Sequence, residues 1–288
     1  MHPSITIGAS EVAVYPIGLG GMPLSLAERP PQNQAISVVR AFIEGGGQFI
    51  DTANVYCIDD NDIGHNERLI RQALTLFPQR HDIVVATKGG LRRPKGRWDV
   101  DGHPDFLRQS CEASLRDLGV ESIFLYQLHA PDPAVPLADS VGALLRLREQ
   151  GKIHHIGLSN VSPRDIDTAL AVAPILSVQN RCNLFERKSF SSGVVEKCRL
   201  HNICFIPHSP VGGHYGHHQA AISPGLNRIA RKHSVSPYRI MLAWLLQQGP
   251  HILPIPGASK ITSIVDSLKA VDIQLETGDM DELNQLAK

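Results

Sequence analysis

Short apolar runs recur along the chain, and each is followed by a segment whose apolar residues have helical spacing. Most runs are apolar at consecutive positions, which is typical of strands buried on both faces of a parallel sheet. The pattern predicts strands at 15–20, 48–51, 83–88, 123–129, 153–159, 175–180, 203–208 and 252–256. Between the third and fourth, Leu107, Leu115 and Leu118 fall on one helical stripe that begins near Pro104 and ends at Gly119.

The alternation of eight predicted strands with helices favours an α/β fold, a (β/α)8 TIM barrel formed by a single domain over residues 1–288. The length agrees, because such a barrel typically needs about 250 residues. A doubly wound open sheet is the alternative, but the even spacing of the strands favours the barrel. A short N-terminal β-hairpin, 4–7 with 11–14, turns at 8–10 and is predicted to close the barrel bottom.

Composition and charge narrow the function classes. Hydrophobic residues make up 42% and charged residues 19%, so the chain has the apolar side chains for a large core. Twenty-eight basic residues balance 28 acidic ones, so binding to nucleic acid or an anionic membrane lacks its main driving force. No apolar run reaches the roughly 18 residues of a membrane span. The five cysteines form no CxxC pair and the first residues show no signal-peptide pattern, which predicts a cytoplasmic protein.

Titratable side chains stand where the predicted strands end. Asp51 ends the second strand, Lys88 the third and His129 the fourth, and Tyr56 lies in the loop after Asp51. In a (β/α)8 barrel these ends meet at one rim, where catalytic groups lie. A lysine at the end of an apolar strand requires a partner, and Asp51 is the natural one. The four groups are therefore predicted to converge.

Such a set supports proton transfer at a carbonyl oxygen. The ammonium of Lys88 is expected to lower the pKa of Tyr56 and make the phenol an acid, while a neutral His129 donates a hydrogen bond to the same oxygen. The set contains no nucleophile, so the complementary reactant is expected to be a hydride donor.

Motifs for other chemistry are incomplete. Gly18-Leu19-Gly20-Gly21 follows a strand, but Pro23 stands where a dinucleotide fingerprint has its third glycine. The acidic stretch at 59–64 lacks the later ligands of a calcium loop and is interpreted as a solvated turn. Histidines at 214–218 lie among glycines, which favours a mobile flap at 211–224 over a metal site. No metal is expected.

Five segments occur in a distinctive order: Asp51-Thr52-Ala53-Asn54-Val55-Tyr56; Gly64-His65-Asn66-Glu67; Ala86-Thr87-Lys88; Ser114-Leu115-Arg116-Asp117-Leu118-Gly119 with Tyr126-Gln127-Leu128-His129; and Gly151-Lys152-Ile153 with Gly157-Leu158-Ser159-Asn160. In this order and spacing they resemble the aldo-keto reductase superfamily over residues 5–285. The resemblance implies a catalytic tetrad of Asp51, Tyr56, Lys88 and His129. It also implies NAD(P)H-dependent reduction of an aldehyde or ketone by direct hydride transfer, with Tyr56 as general acid. A cofactor-binding regulatory subunit of the potassium-channel β-subunit type, which shares the fold, is the alternative.

The resemblance further implies NADP(H), rather than NAD, as the cofactor. The implied contact residues are Gly20, Gly21, Met22, Asp51, Ser159, Asn160, Gln179, His208, Ser209, Pro210, Gly212, Gly257, Ser259 and Lys260. Ser159, Asn160 and Gln179 match positions that hold the nicotinamide carboxamide, and Ser209 begins the loop that touches the pyrophosphate. Lys260 matches the segment at the adenosine 2′-phosphate, where a lysine is a suitable point charge.

Two positions depart from the family pattern. His208 stands where most members have a tyrosine that stacks on the nicotinamide, and it brings a group that is expected to titrate near pH 6.5. Ser263 stands where many members have an arginine near the adenosine. The preference for NADPH therefore depends largely on Lys260.

The substrate is predicted to be a small carbonyl compound that contacts Tyr56, His129 and Trp98. Trp98 lies in a loop at 89–103 whose basic residues, Arg92, Arg93, Lys95 and Arg97, are interpreted either as a solvated surface or as favouring an anionic substrate. The assembly is expected to be a monomer or a small homo-oligomer.

Overall fold

The structure is a computed structural model that describes residues 4–78 and 81–286, without the side chains at 214, 215 and 217. Its strands, in chain order, are β1 (Ile5–Thr6), β2 (Ala13–Val14), β3 (Leu19–Gly20), β4 (Phe49–Asp51), β5 (Val84–Gly89), β6 (Leu91–Arg92), β7 (Asp99–Val100), β8 (Ile123–Leu128), β9 (Ile153–Ser159), β10 (Ile175–Gln179) and β11 (Cys204–Phe205). Its helices are α1 (Gln32–Glu44), α2 (His65–Leu74), α3 (Pro104–Leu118), α4 (Leu137–Glu149), α5 (Pro163–Leu170), α6 (Lys188–Ser191), α7 (Val194–Leu200), α8 (Gly213–Ile222), α9 (Pro224–Lys232), α10 (Pro237–Leu246), α11 (Ile261–Leu268) and α12 (Thr277–Gln285).

Seven strands form one parallel sheet in the order β3-β4-β5-β8-β9-β10-β11. The segment at 252–257 joins its two edges through parallel bridges between Phe205 and Ile252 and between Gly20 and Gly257. We call this junction, where the segment at 252–257 lies between β3 and β11, the barrel seam. Within it, Gly20 N donates to Pro256 O over 3.0 Å. The predicted (β/α)8 TIM barrel is confirmed, and the open-sheet alternative is wrong because both edges are joined.

Proline explains why the strands at this seam are shorter than predicted. Pro254 and Pro256 have no N–H to donate, so the eighth segment only accepts hydrogen bonds from the β3 side. On the β11 side Leu253 N and Ile255 N donate, and no continuous ladder forms. Pro16 and Pro207 have the same effect in the first and seventh predicted strands, which are reduced to β3 and β11.

The N-terminal hairpin closes the bottom of the barrel, as predicted. Ile5 pairs with Val14 across β1 and β2, and Ile5, Ile7 and Val14 pack with Phe49 and other side chains of the barrel interior. At the turn, Gly8 has a φ of +51°, and a Cβ there would lie 2.4 Å from the Leu176 carbonyl oxygen. Glycine is therefore required where the hairpin approaches the start of β10.

Helix boundaries follow local signals in the sequence. Pro104 lies in the first turn of α3, and Gly119 ends that helix in the left-handed conformation, as predicted. Ser162 and Ser236 accept hydrogen bonds from the first turns of α5 and α10, as serines at helix N-termini commonly do.

Two predicted loops contain regular structure. The segment at 89–103 includes an antiparallel pair, β6 with β7, and most of the segment at 211–224 is helix α8. The mobile flap at 211–224 stays a prediction. Within the described ranges, no helix is long and apolar enough to cross a membrane.

Candidate active site

Three strand ends and one loop bring the predicted catalytic residues together. Asp51 is the last residue of β4, Lys88 is the penultimate residue of β5, and His129 directly follows β8. Tyr56 lies in the loop after β4, where its N–H donates to Ala53 O over 3.1 Å. All four side chains are buried at the C-terminal end of the barrel.

The Lys88 ammonium has a full set of hydrogen-bond acceptors. Its Nζ lies 2.5 Å from Asp51 Oδ1, 3.0 Å from Thr52 O and 2.9 Å from the Tyr56 hydroxyl. Lys88 is 0% exposed and Asp51 1% exposed, so this is a buried ion pair whose donors are satisfied. Because the Tyr56 oxygen accepts from Lys88, the phenolic proton is free to be donated elsewhere.

Burial determines the direction of the Tyr56 pKa. Loss of solvation raises the pKa of Tyr56 above 10, although the positive charge and hydrogen bond of Lys88 oppose that rise. Lys88 thus acts in the expected direction, but burial outweighs it and the net change in the Tyr56 pKa is upward. Burial also works against the charge on Lys88, but Asp51 and Tyr56 outweigh it and the Lys88 pKa is raised. At neutral pH the site consequently holds a protonated phenol beside a charged ammonium.

His129 is held neutral in the same cluster. Its ring centre lies 5.8 Å from that of Tyr56 in an edge-to-face arrangement. Burial, followed by the nearby Lys88 and His208, lowers the pKa of His129 well below 6.5. Its Nδ1 is buried without a hydrogen-bond partner in the described structure. The neutral ring is therefore available to form a hydrogen bond with an oxygen atom that is uncharged or that gains negative charge during a reaction.

Supporting residues that the sequence analysis did not single out hold this cluster in place. Gln127 Nε2 donates to Asp51 Oδ2 over 3.2 Å, which satisfies the second carboxylate oxygen together with Gln179. Asn66, at the start of α2, donates to Gly21 O over 2.9 Å and accepts from Thr52 Oγ1 over 2.5 Å. Since Thr52 O accepts from Lys88, Asn66 connects the helix to the tetrad. The sequence could have indicated Asn66, because this residue belongs to Gly64-His65-Asn66-Glu67, one of the five segments that resemble the family.

Trp98 borders the cluster from the hairpin β6–β7. Its ring centre lies 6.5 Å from that of His129, and the side chain is 48% exposed. Arg92 is paired with Asp101, while Arg93 is buried against Trp98. The interpretation of the basic residues as a solvated surface therefore holds for only part of this segment, because the Arg93 side chain is buried.

The residues predicted to bind cofactor all follow strand ends on the rim that carries the tetrad. Gly20 ends β3 and is followed by Gly21 and Met22, Ser159 ends β9 and is followed by Asn160, and Gln179 ends β10. His208, Ser209, Pro210 and Gly212 come after β11, and Gly257, Ser259 and Lys260 lie at or after the end of the segment at 252–257. Gln179 Nε2 donates to Asp51 Oδ2 over 2.7 Å, so it joins this rim to the ion pair.

Two of these residues adopt backbone conformations that non-glycine residues seldom take. Asn160 has a φ of 58° and Ser209 a φ of 54°. Neighbouring hydrogen bonds hold them: Asn160 Nδ2 donates to His129 O over 2.9 Å, and Asn183 Nδ2 donates to Ser209 O over 3.1 Å. Local strain of this kind accumulates at binding sites.

His208 lies on the same rim but does not titrate as predicted. Its Nε2 lies 3.4 Å from Asn160 Oδ1. Burial, then the positive charges of Lys88 and Arg181, lower the pKa of His208 to about 3. The expectation of titration near pH 6.5 is therefore wrong, and the half-buried ring is neutral over the physiological range.

The described residues contain no cluster of three or more histidine, cysteine, aspartate or glutamate side chains arranged to hold a metal ion. His214 and His217, which the sequence analysis considered, have side chains outside that set.

A parallel barrel with a buried Asp–Lys–Tyr–His cluster at its C-terminal rim defines a class of barrel oxidoreductases. Comparison with known proteins agrees: the sequence profile of the Aldo/keto reductase family matches residues 16–288, and the chain belongs to this family. It is 35% identical to the "Uncharacterized oxidoreductase C215.11c" of Schizosaccharomyces pombe, over 98% of this chain and 90% of that protein.

Two solved structures are similar along almost their whole length. The thermostable aldo-keto reductase Tm1743, solved with the inhibitor epalrestat, superposes with a TM-score of 0.84 at 27% identity and covers 99% of each chain. An aldo-keto reductase from Klebsiella pneumoniae, solved in complex with NADPH, has a TM-score of 0.82 at 25% identity and covers 100% of this chain and 96% of its own.

Proposed function

We propose that this protein reduces an aldehyde or ketone with NADPH, and that Tyr56 is the general acid. The observation that carries the proposal is the buried chain of contacts from Asp51 through Lys88 to the Tyr56 hydroxyl. Membership of the aldo-keto reductase family and the NADPH-bound relative support the same reaction class. A purely regulatory subunit would need a cofactor site but no such proton donor, so the arrangement favours catalysis.

The chain's own residues supply the proton and stabilise the charge. Tyr56 donates its free hydroxyl proton to the carbonyl oxygen, and the phenolate that forms lies 2.9 Å from the Lys88 ammonium. Asp51 keeps that ammonium charged, because its negative charge and hydrogen bond raise the pKa of Lys88 against the effect of burial. His129 polarises the carbonyl group without competing as an acid, because its pKa is low.

The residues of the rim fit a nicotinamide dinucleotide. Gly20 and Gly257 lie where strand ends approach closely, and a Cβ on Gly20 would lie 2.8 Å from Ile255 O. We infer that Ser159, Asn160 and Gln179 hold the carboxamide, that Ser209 to Gly212 contact the pyrophosphate, and that Lys260 contacts the 2′-phosphate. When bound, NADPH supplies the hydride that the chain itself lacks.

A screen of neutral, aromatic and charged aldehydes and ketones, followed by the absorbance of NADPH, tests the proposal. Substrate-dependent oxidation of NADPH is the expected result. Binding of NADPH without turnover of any carbonyl compound, in a folded protein, would favour the regulatory alternative instead.

We also infer that residues 1–288 form a single domain, since residues near both ends of the described chain meet at the barrel seam. The five cysteines are free and buried, which supports a cytoplasmic protein. A monomer or small homo-oligomer stays a prediction.

Lys260→Ala is expected to weaken NADPH binding about tenfold or more and to leave NADH binding nearly unchanged. The exposed Lys260 side chain has no ion pair in the described structure, so its charge is available to a phosphate. A charge-assisted phosphate contact contributes about 1.5–3 kcal/mol. Dissociation constants for both cofactors measure the effect, with Lys269→Ala as a matched control. Equal losses for NADPH and NADH would exclude recognition of the 2′-phosphate.

His208→Tyr is expected to strengthen cofactor binding roughly two- to tenfold, because stacking of a broader aromatic face contributes about 0.5–1.5 kcal/mol. With the pKa of His208 lowered to about 3, affinity for NADP⁺ is expected to show no inflection attributable to this residue between about pH 5.5 and 8.5. Fluorescence titrations of wild type and variant over that range measure both effects. An inflection near pH 6.5 that vanishes in the variant would contradict the neutral state of His208.

A further inference from the structure

The hairpin β6–β7 presents two different faces. Leu91 pairs with Val100 and Arg92 pairs with Asp99, so side chains alternate between the faces. Leu91 is buried in a cluster with Tyr56, whereas the Arg92 side chain is 54% exposed and pairs with Asp101. Arg93 directly follows β6, and its hydrogen bonds to the carbonyls of Cys57 and Ile58 direct it towards the active site.

Arg93 is buried without a carboxylate partner in the described structure. The residue is 6% exposed, and its guanidinium carbon lies 3.9 Å from the centre of the Trp98 ring. Its Nη2 donates to Cys57 O over 3.2 Å and to Ile58 O over 3.0 Å, whereas Nε and Nη1 have no hydrogen-bond partner. Burial of incompletely paired donors costs free energy, so packing stability alone is a poor reason for an arginine here.

The contacts of Arg93 connect two sides of the substrate approach. The carbonyls of Cys57 and Ile58 belong to the same loop as Tyr56, and Trp98 lies against His129. Trp98 is half exposed, so without support its indole would be free to change rotamer. The Arg93 guanidinium stacks on one face of the indole and is held by its hydrogen bonds to the carbonyls of Cys57 and Ile58. It therefore restricts the rotamers of Trp98.

We propose that Arg93 is a positioning residue that holds Trp98 beside His129 and thereby sets the affinity for the carbonyl substrate. The proposal rests on the proposed function, because it assigns Trp98 to the reductase's substrate site. Arg93 acts through Trp98 and touches neither proton donor nor reacting atoms, so its loss changes KM and leaves kcat nearly unchanged.

Kinetics with 4-methylbenzaldehyde test this coupling. Arg93→Gln and Trp98→Ala are each expected to raise KM roughly tenfold, with kcat within about twofold of wild type. The double variant is expected to show no further increase, since Arg93 acts only through Trp98. Arg93→Lys keeps the charge but loses the planar fork, and is expected to restore KM only in part. Multiplying effects in the double variant would overturn the proposal.

A matched control exists elsewhere in the chain. Arg187 also stacks on a tryptophan, with its guanidinium carbon 4.7 Å from the Trp244 ring centre, and it also donates to backbone carbonyls. Arg187→Gln therefore disturbs the same type of pair away from the tetrad. Its KM is expected to equal that of wild type, and an increase comparable to that of Arg93→Gln would overturn the proposal.

Tryptophan fluorescence tests the positioning without turnover. The chain has two tryptophans, and Trp244 is 2% exposed, so quenching by acrylamide reports mainly on Trp98. Arg93→Gln is expected to increase the quenching constant, while Trp98→Phe removes the quenchable signal. Thermal unfolding by circular dichroism confirms that each variant is folded, with Arg93→Lys as the milder variant. Unchanged quenching in folded Arg93→Gln would overturn the proposal.

The two failures are distinguishable. If wild-type protein reduces no carbonyl compound, the proposed function is wrong, and the assignment of Arg93 to substrate affinity falls with it. If wild type is active but either KM or quenching does not respond to Arg93→Gln, only the inference about Arg93 is wrong.

Discussion

Replacing Tyr56 by phenylalanine is expected to reduce kcat for carbonyl reduction by about 10²–10⁴-fold, the usual contribution of a general acid. The substitution removes the hydroxyl oxygen that accepts from Lys88 and keeps the ring that packs edge-to-face on His129. Cofactor binding is therefore expected to be preserved. Steady-state rates and NADPH titration by fluorescence measure the two quantities separately.

Tyr126→Phe is the matched control for this result. Tyr126 is fully buried, and its hydroxyl has no hydrogen-bond partner in the described structure. Removal of that hydroxyl is expected to leave kcat within about twofold of wild type. If Tyr56→Phe kept near-normal turnover, or if Tyr126→Phe were equally impaired, Tyr56 would not be the proton donor.

Lys88→Met is expected to abolish carbonyl reduction and to lower the free energy of unfolding by about 3–5 kcal/mol. The substitution leaves the Asp51 carboxylate buried, with only the amide donors of Gln127 and Gln179. Exchanging Asp51 for asparagine as well removes the uncompensated charge. The double variant Asp51→Asn/Lys88→Met is therefore expected to recover much of the lost stability while staying inactive.

Chemical unfolding followed by circular dichroism measures these differences. Glu44→Gln, which breaks the exposed pair between Arg40 and Glu44, is the control and is expected to change stability by less than about 1 kcal/mol. A double variant no more stable than Lys88→Met would show that the cost does not arise from an unpaired buried carboxylate.

The sequence predicted the tetrad's convergence because each member stands at or near a strand end, and parallel strands place such ends on one rim. It did not predict the protonation states. The pKa values of Tyr56 and His208 depend on how deeply each side chain is buried and on cations contributed by other strands. Those distances exist only after the barrel has closed.

The segments at 92–97 and 213–222 differ from their sequence-based interpretation for a similar reason, namely that tertiary contacts outweigh local sequence signals. The cations at 92–97 suggest a solvated loop, and nothing local indicates that Arg93 turns inward to the carbonyls of Cys57 and Ile58. Glycines at 213 and 216 argue against a helix by propensity, yet α8 forms. The stacking partner of Arg93 is likewise visible only in three dimensions.

The proline-rich seam also has a consequence for biogenesis. Gly20 and Pro256 are far apart in the sequence, so the contact between them carries a large loop-closure entropy and forms only after the segment that contains Pro256 has been synthesised. Until then, β3 and β11 are exposed edge strands, at which a nascent chain can pair with another chain. Pro16 and Pro207 lack N–H donors next to these edge strands, so they weaken such intermolecular pairing. The feature that interrupts the ladder in the finished barrel thus protects the unfinished one against aggregation.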